Sequence, residues 1–300
     1  MQRRRTPTNG VCGGGVNALL CQNASVGWRL LVEEPRLLNS PIRRIAHLAV
    51  SLLTLLTLTG CLSAPAGSGF GAGARWPDAA ELADAARSAA TDPLTWVPVA
   101  AAAAVAVTGV DDDWTEDAIE NAPLFGDDAA GVSDDIRDGL GGLYVVTALI
   151  APSDNAGSKL RGLGVGLASF VVESGITEGL KEAVGRDRPN GKNDRSFPSG
   201  HSVNSAARAA LIARNLDAMD MPHWTRRSLQ GAAYTTAALG SYARVEASKH
   251  HVSDVLVGYA LGNFVARFMT EAFLGSSSNG QVALQPLDGG GAITLTLPLR

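Results

Sequence analysis

The chain has 300 residues, 46% hydrophobic and 18% charged, with a formal net charge of -4, which is enough apolar material for one sizeable core. Charge is unevenly divided: the residues before Cys61 carry a balance of +5 and the rest -9, so the acidic body excludes a tracker of nucleic-acid phosphates, which needs a broad basic surface. Cys12, Cys21 and Cys61 all lie in the first fifth of the chain, and this excludes a disulfide or a cysteine-held metal further on.

In chain order, residues 1–40 read as an unusual leader extension, with a start placed too far upstream as the alternative, and are left out of the fold. Arg43 and Arg44 then precede residues 46–59, which contain no Asp, Glu, Lys or Arg, and Gly60-Cys61 follows. A positive n-region, an apolar stretch too short to span a bilayer and small residues before a cut make a signal-peptide layout. The ending Leu58-Thr59-Gly60-Cys61 resembles the bacterial lipobox. That resemblance implies that Cys61 is lipidated and becomes the mature N-terminus of an exported protein, anchored to a membrane of the bacterial envelope and facing the periplasm. Residues 1–60 are then leader, and 61–75, rich in Gly, Ala and Ser, a flexible tether.

The body, residues 76–274, predicts an all-α bundle, because strand-favouring aromatic and β-branched residues are sparse and alanine is abundant. Asp78 and Glu81 mark the first turn of a helix that stops near Thr91, before Pro93. An apolar run over 94–110 follows, and Asp111-Asp112-Asp113 reads as a solvated turn without EF-hand spacing. Further helices are expected at 133–151, 156–184, 202–216, 225–246 and 253–273. The uncharged runs 94–110 and 140–152 are shorter than a membrane span and read as core helices; a polytopic membrane protein is the alternative. In the tail, 275–300, alternation on both sides of Asp288-Gly289-Gly290-Gly291 predicts a small β-hairpin.

Chemistry concentrates in three clusters. Lys181 and Arg188 stand seven apart, before Pro189. In Pro198-Ser199-Gly200-His201 a helix begins, and the free N–H groups and dipole of its first turn favour an anion. Gly200 admits close approach, Ser199 supplies a hydroxyl and His201 a proton near neutral pH. The third cluster holds Arg244, a fork suited to phosphate oxygens, and His250 four residues before Asp254, a spacing at which the carboxylate orients the ring. The neighbouring His250-His251 pair invites a metal, but adjacent helical side chains diverge and no third ligand follows at suitable spacing.

Lys-x6-Arg-Pro, Pro-Ser-Gly-His and Arg-x5-His-x3-Asp, in that order, resemble the type 2 phosphatidic acid phosphatase superfamily, which includes lipid phosphatases, bacterial acid phosphatases and vanadium haloperoxidases. The likeness extends over about residues 90–274 and departs at Ala243, where the family usually has Ser. It implies a helical bundle and a metal-independent phosphatase acting on phosphate monoesters or pyrophosphates, lipid phosphates among them. Lys181, Arg188, Ser199, Gly200 and Arg244 would hold the phosphoryl group, His250 would attack it with Asp254 as orienter, and His201 would protonate the leaving oxygen. No cofactor is implied, and vanadate is expected as an inhibitor. The alternatives are a vanadate-dependent haloperoxidase, with vanadate as its cofactor, a polytopic lipid phosphatase or phosphotransferase, and an inactive envelope protein.

Overall fold

The computed structural model describes residues 69–275 and the strand segments 281–287 and 290–296, within the unit Ala46–Arg300. Cys61 and the leader lie outside the described residues. The described residues contain eight α-helices: α1 (Ala79–Thr91), α2 (Pro93–Thr108), α3 (Asp111–Glu120), α4 (Ala129–Ile150), α5 (Ala156–Val184), α6 (Gly200–Asp217), α7 (His223–Glu246) and α8 (Val252–Leu274). A 3-10 turn, Gly126–Asp128, leads into α4, and β1 (Gln281–Leu287) pairs antiparallel with β2 (Gly290–Thr296) as the alternating tail predicts.

Local chemistry sets the helix starts. Asp78 accepts from the N–H of Glu81 at 2.8 Å and Glu81 accepts from that of Asp78 at 3.0 Å, a capping box at the head of α1. Asp92 caps α2, whose first residue is Pro93. The triple aspartate is not a solvated turn. Gly109, at φ 72°, closes α2, and Asp111, Asp112 and Asp113 fill the first turn of α3, where the helix dipole favours acids.

α6 is the central helix, buried along most of its length and packed against α4, α5, α7 and α8. Its alanines bring neighbours close, and α8 answers with Gly258 and Gly262. A Cβ on Gly262 would stand 2.0 Å from the carbonyl oxygen of Val203, and one on Gly258 2.6 Å from that of Ser199. Only glycine lets α8 lie this near to α6.

Two expectations are corrected. Residues 69–75, assigned to the tether, pack against the helices: Phe70 is buried and donates its N–H to the Pro152 carbonyl at 2.7 Å, and Arg75 donates to that of Phe273 at 3.1 Å. The runs 94–110 and 140–152 are not simply core: the second exposes Val145 and Leu149. α2 exposes Trp96, Val97, Val99 and Val107, while α5 exposes Leu160, Leu167, Val171 and Ile176 and buries Ser158, Gly162, Gly166, Ser169, Glu173 and Thr177. α5 therefore turns its small and polar stripe inward and its large apolar residues outward, the reverse of a surface helix on a water-soluble bundle. It is long and apolar enough to cross a membrane, and α1 with α2 meets the same criterion as a pair bent by 58°.

Candidate active site

The three clusters converge where the start of α6, the α7–α8 turn and the segment after α5 meet. Between α7 and α8 the chain reverses through Ser248, whose φ of 55° is left-handed. The Ser248 carbonyl accepts from the N–H of Asn190 at 3.2 Å, which ties this turn to the Arg188-Pro189 segment. His250 follows, buried and outside any helix.

Its Nδ1 lies 2.6 Å from the carbonyl oxygen of Ser196. A carbonyl only accepts, so Nδ1 carries the proton and Nε2 keeps its lone pair free. This corrects the expected role of Asp254. α8 begins at Val252, so the four-residue spacing from His250 does not run along a helix. Asp254 accepts instead from the N–H of His251 at 2.9 Å, from Ser196 Oγ at 2.5 Å and from Arg186 Nη1 at 2.8 Å. Asp254 holds the Ser196 hydroxyl and the Arg186 carbonyl accepts from the Ser196 N–H at 2.9 Å, so the residue whose carbonyl meets His250 is tied on both sides. His251 is structural: its N–H caps α8 and its Nε2 lies 3.2 Å from the Asp187 carbonyl.

Arg186 was not singled out in the sequence. Its guanidinium bridges Asp254 and Asp111, each at 2.8 Å, and donates to Ser253 Oγ at 2.7 Å. Burial pushes the Asp111 carboxyl up, but hydrogen bonds from Ser253 and Arg186 outweigh it and hold the group below its ordinary range. The aspartate taken for a solvated turn is thus one end of a buried carboxylate–guanidinium–carboxylate bridge.

Arg244, Arg188 and Lys181 lie near enough to His250 for their charges to act on its ring. Burial first, then the charges of Arg244, Arg188 and Lys181, drive the imidazole well below its usual range and keep it neutral. Arg244 and Arg188 each bury an Nε with no hydrogen-bond partner, and neither guanidinium is paired with a carboxylate among the described residues. Lys181 Nζ lies 3.5 Å from the point where Gly200 would carry a Cβ, which joins the first cluster to the second. Ser199 is the N-cap of α6: it is fully buried, its Oγ accepts from the Ser202 N–H at 3.5 Å and its own N–H donates to the Asp254 carbonyl at 3.1 Å. Its hydroxyl serves the helix start first. Ala243, where the family's Ser would stand, is fully buried.

His201 sits in the first turn of α6, and it has a carboxylate partner that the sequence reading lacked. Its Nε2 lies 2.6 Å from Asp134 Oδ1 and 2.8 Å from Arg137 Nη1, both on α4. Burial and Arg244 lower its pKa to about 4 against the opposing pull of Asp134. Among the described residues no group of three His, Cys, Asp or Glu is arranged to hold a metal ion.

Residues 162–276 match the model of the PAP2 superfamily. Lipid A 1-phosphatase of Porphyromonas gingivalis is 34% identical over 103 residues, which are 34% of this chain and 21% of that one; the match spans about a fifth of that relative's length. A transmembrane PAP2-type phosphatidylglycerolphosphate phosphatase from Bacillus subtilis aligns in structure with a TM-score of 0.45 and 26% identity, over 59% of this chain and 92% of that one.

Proposed function

From a segment, residues 162–276, that carries the PAP2 superfamily pattern, we propose that this chain is a phosphatase of phosphate monoesters and diphosphates, with lipid phosphates as its substrates. One observation carries the reading: Arg188 and Arg244 hold buried nitrogens without partners beside a neutral His250 whose Nε2 is free. Cations buried without a counter-charge are costly, and a phosphoryl group supplies both the charge and the acceptor oxygens that a planar guanidinium fits.

In the proposed reaction Arg188, Arg244 and Lys181 hold the equatorial oxygens, and the N–H groups opening α6 at Gly200 add the helix-end field. The lone pair of His250 Nε2 forms the N–P bond as the P–O bond to the leaving group breaks. The proton stays on Nδ1, which donates it as a hydrogen bond to the Ser196 carbonyl, and this stabilises the positive ring. His201 gives its proton to the departing oxygen, then takes one from water as that water breaks the N–P bond, releasing phosphate and restoring both histidines. Every step uses side chains of this chain, and vanadate, which accepts the same pentacoordinate geometry, would inhibit.

The outward apolar face of α5 and the exposed tryptophans of α2 and α3, Trp96 and Trp114, support contact with lipid, since an apolar surface this extensive needs a partner. The proposed location is accordingly a bacterial envelope membrane, with lipidation at Cys61 as an additional anchor facing the periplasm. The relative that is 34% identical over 103 residues is a lipid A 1-phosphatase, which supports a lipid-phosphate substrate. Phosphate release by the purified full chain from a panel of lipid and soluble phosphates, with His250→Ala as control, tests the proposal. Release from none of the panel, or equal release by the variant, refutes it.

A further inference from the structure

We propose that Asp134 of α4 holds the Nε2–H of His201 through both of its working states and so leaves Nδ1 as the nitrogen that serves the leaving group, while Arg137 beside it opposes protonation of the ring, so that the two together set when this histidine carries its proton. The inference rests on the reading of His201 as the acid and base of the reaction.

The geometry is specific to one ring atom. Asp134 Oδ1 and Arg137 Nη1 stand 2.6 and 2.8 Å from the same Nε2, whereas the two side chains are 3.5 Å from each other. An ordinary i,i+3 ion pair on a helix surface would close on itself and contribute little; here both members close on the imidazole instead. A carboxylate is an acceptor only and a guanidinium a donor only. Asp134 accepts from Nε2–H both before and after Nδ1 gives up its proton, whereas Arg137 can donate only to a bare Nε2, the neutral tautomer in which Nδ1 already carries hydrogen and cannot take one. Nδ1 makes no hydrogen bond among the described residues, so it is the nitrogen available to a substrate.

The pair is held to the rest of the site. Ser133, next to Asp134, donates its hydroxyl to the Gly240 carbonyl at 2.9 Å, and buried Glu246 accepts the N–H groups of Leu124, Phe125 and Gly126 at 3.1, 2.8 and 2.5 Å just before α4. Both anchors lie on α7, the helix of Arg244. The phosphate-binding arginine and the partners of the acid therefore share one frame.

The charges facing His201 are Asp134 and Arg137 from α4 and Arg244 from α7, and Asp138 binds Arg137 Nε at 2.9 Å. Among the described residues Asp134 is the one carboxylate in direct contact that favours the imidazolium; Arg244 and Arg137 oppose it. Loss of Asp134 leaves the acid too weakly basic to hold a proton, and loss of Arg137 does the reverse.

The test uses the purified full chain and two esters that share the phosphate but differ in the leaving group: p-nitrophenyl phosphate, whose phenolate leaves without a proton, and phosphatidic acid, whose alkoxide needs one. For Asp134→Asn, kcat/KM on phosphatidic acid should fall on the order of 10²-fold while that on p-nitrophenyl phosphate changes little, and the basic limb of the phosphatidic acid profile should move to lower pH. Arg137→Gln should move that limb to higher pH. Asp134→Asn added to His201→Gln should cost nothing further. An equal fall on both esters with an unmoved limb would make Asp134 merely structural and overturn the inference. Wild-type protein that hydrolyses neither ester would instead refute the phosphatase reading itself.

Discussion

Replacing Arg186 by Met removes the cation between two carboxylates without touching any residue assigned to the phosphoryl group. Asp254 has no exposed side-chain surface, Asp111 12% and the guanidinium 29%. Breaking a fully buried pair costs about 3–5 kcal/mol, and the partial exposure of Arg186 brings the expectation to about 3 kcal/mol. Asp254 keeps Ser196 and the His251 N–H, and Asp111 keeps the N–H and hydroxyl of Ser253, so the variant should still fold. Thermal unfolding of the purified chain, followed by circular dichroism, should show a midpoint lowered by roughly 10 °C. The sign with pH is fixed: the Asp111 carboxyl is held below its unfolded value, so its stabilisation is present above about pH 4 and is lost as the pH falls through its folded value. The advantage of wild type over the variant should shrink below that pH. Turnover should also drop, because Ser196 and with it the His250 ring lose their support. An unchanged midpoint with full activity would refute the bridge as a determinant of the site.

Other consequences are as direct. In the free protein His250 is held neutral further down the pH scale than His201, at about 4, so nucleophile and acid are both in their working states only between the two values. kcat/KM should fall as the pH rises above about 4, and kcat should fall at a higher pH because bound phosphate offsets Arg244; a kcat limb lying below the kcat/KM limb would contradict this. The same depressed values mean that the unfolded chain takes up protons first, so thermal stability should fall as the pH drops below about 6.5; a midpoint constant from pH 7 to 5 would count against burial of the two rings. Gly262→Leu should cost at least about 3 kcal/mol, since even a Cβ would stand 2.0 Å from the Val203 carbonyl; a stable variant would mean that α6 and α8 are not this close.

The features legible in the sequence are those encoded over short spans. The bounds of α5, a helix start at Asp78 and Glu81 and the order of the three clusters all follow from periodicity, acids near a helix start and motif spacing. What escaped is long-range. Arg186 meets Asp111 across 75 residues and Asp134 meets His201 across 67, and no local pattern pairs such residues. The Asp254 spacing misled for a different reason: it presumed a helix through His250, whereas α8 starts two residues later. The run 94–110 misled because α2 exposes Trp96, Val97, Val99 and Val107, so an apolar sequence did not mean a buried face. One signal was available for Asp111: it directly follows the stop at Gly109-Val110 and heads a helix, a place where an acid is seldom only a solvated loop residue.

The central claim, that His250 Nε2 takes the phosphoryl group, is tested most directly by quenching the full chain during turnover of a lipid phosphate and mapping the phosphorylated residue by mass spectrometry. An acid-labile phosphoryl group is expected on His250, absent from His250→Ala, which should also lose turnover. Phosphate on another residue, or undiminished turnover by His250→Ala, would contradict it.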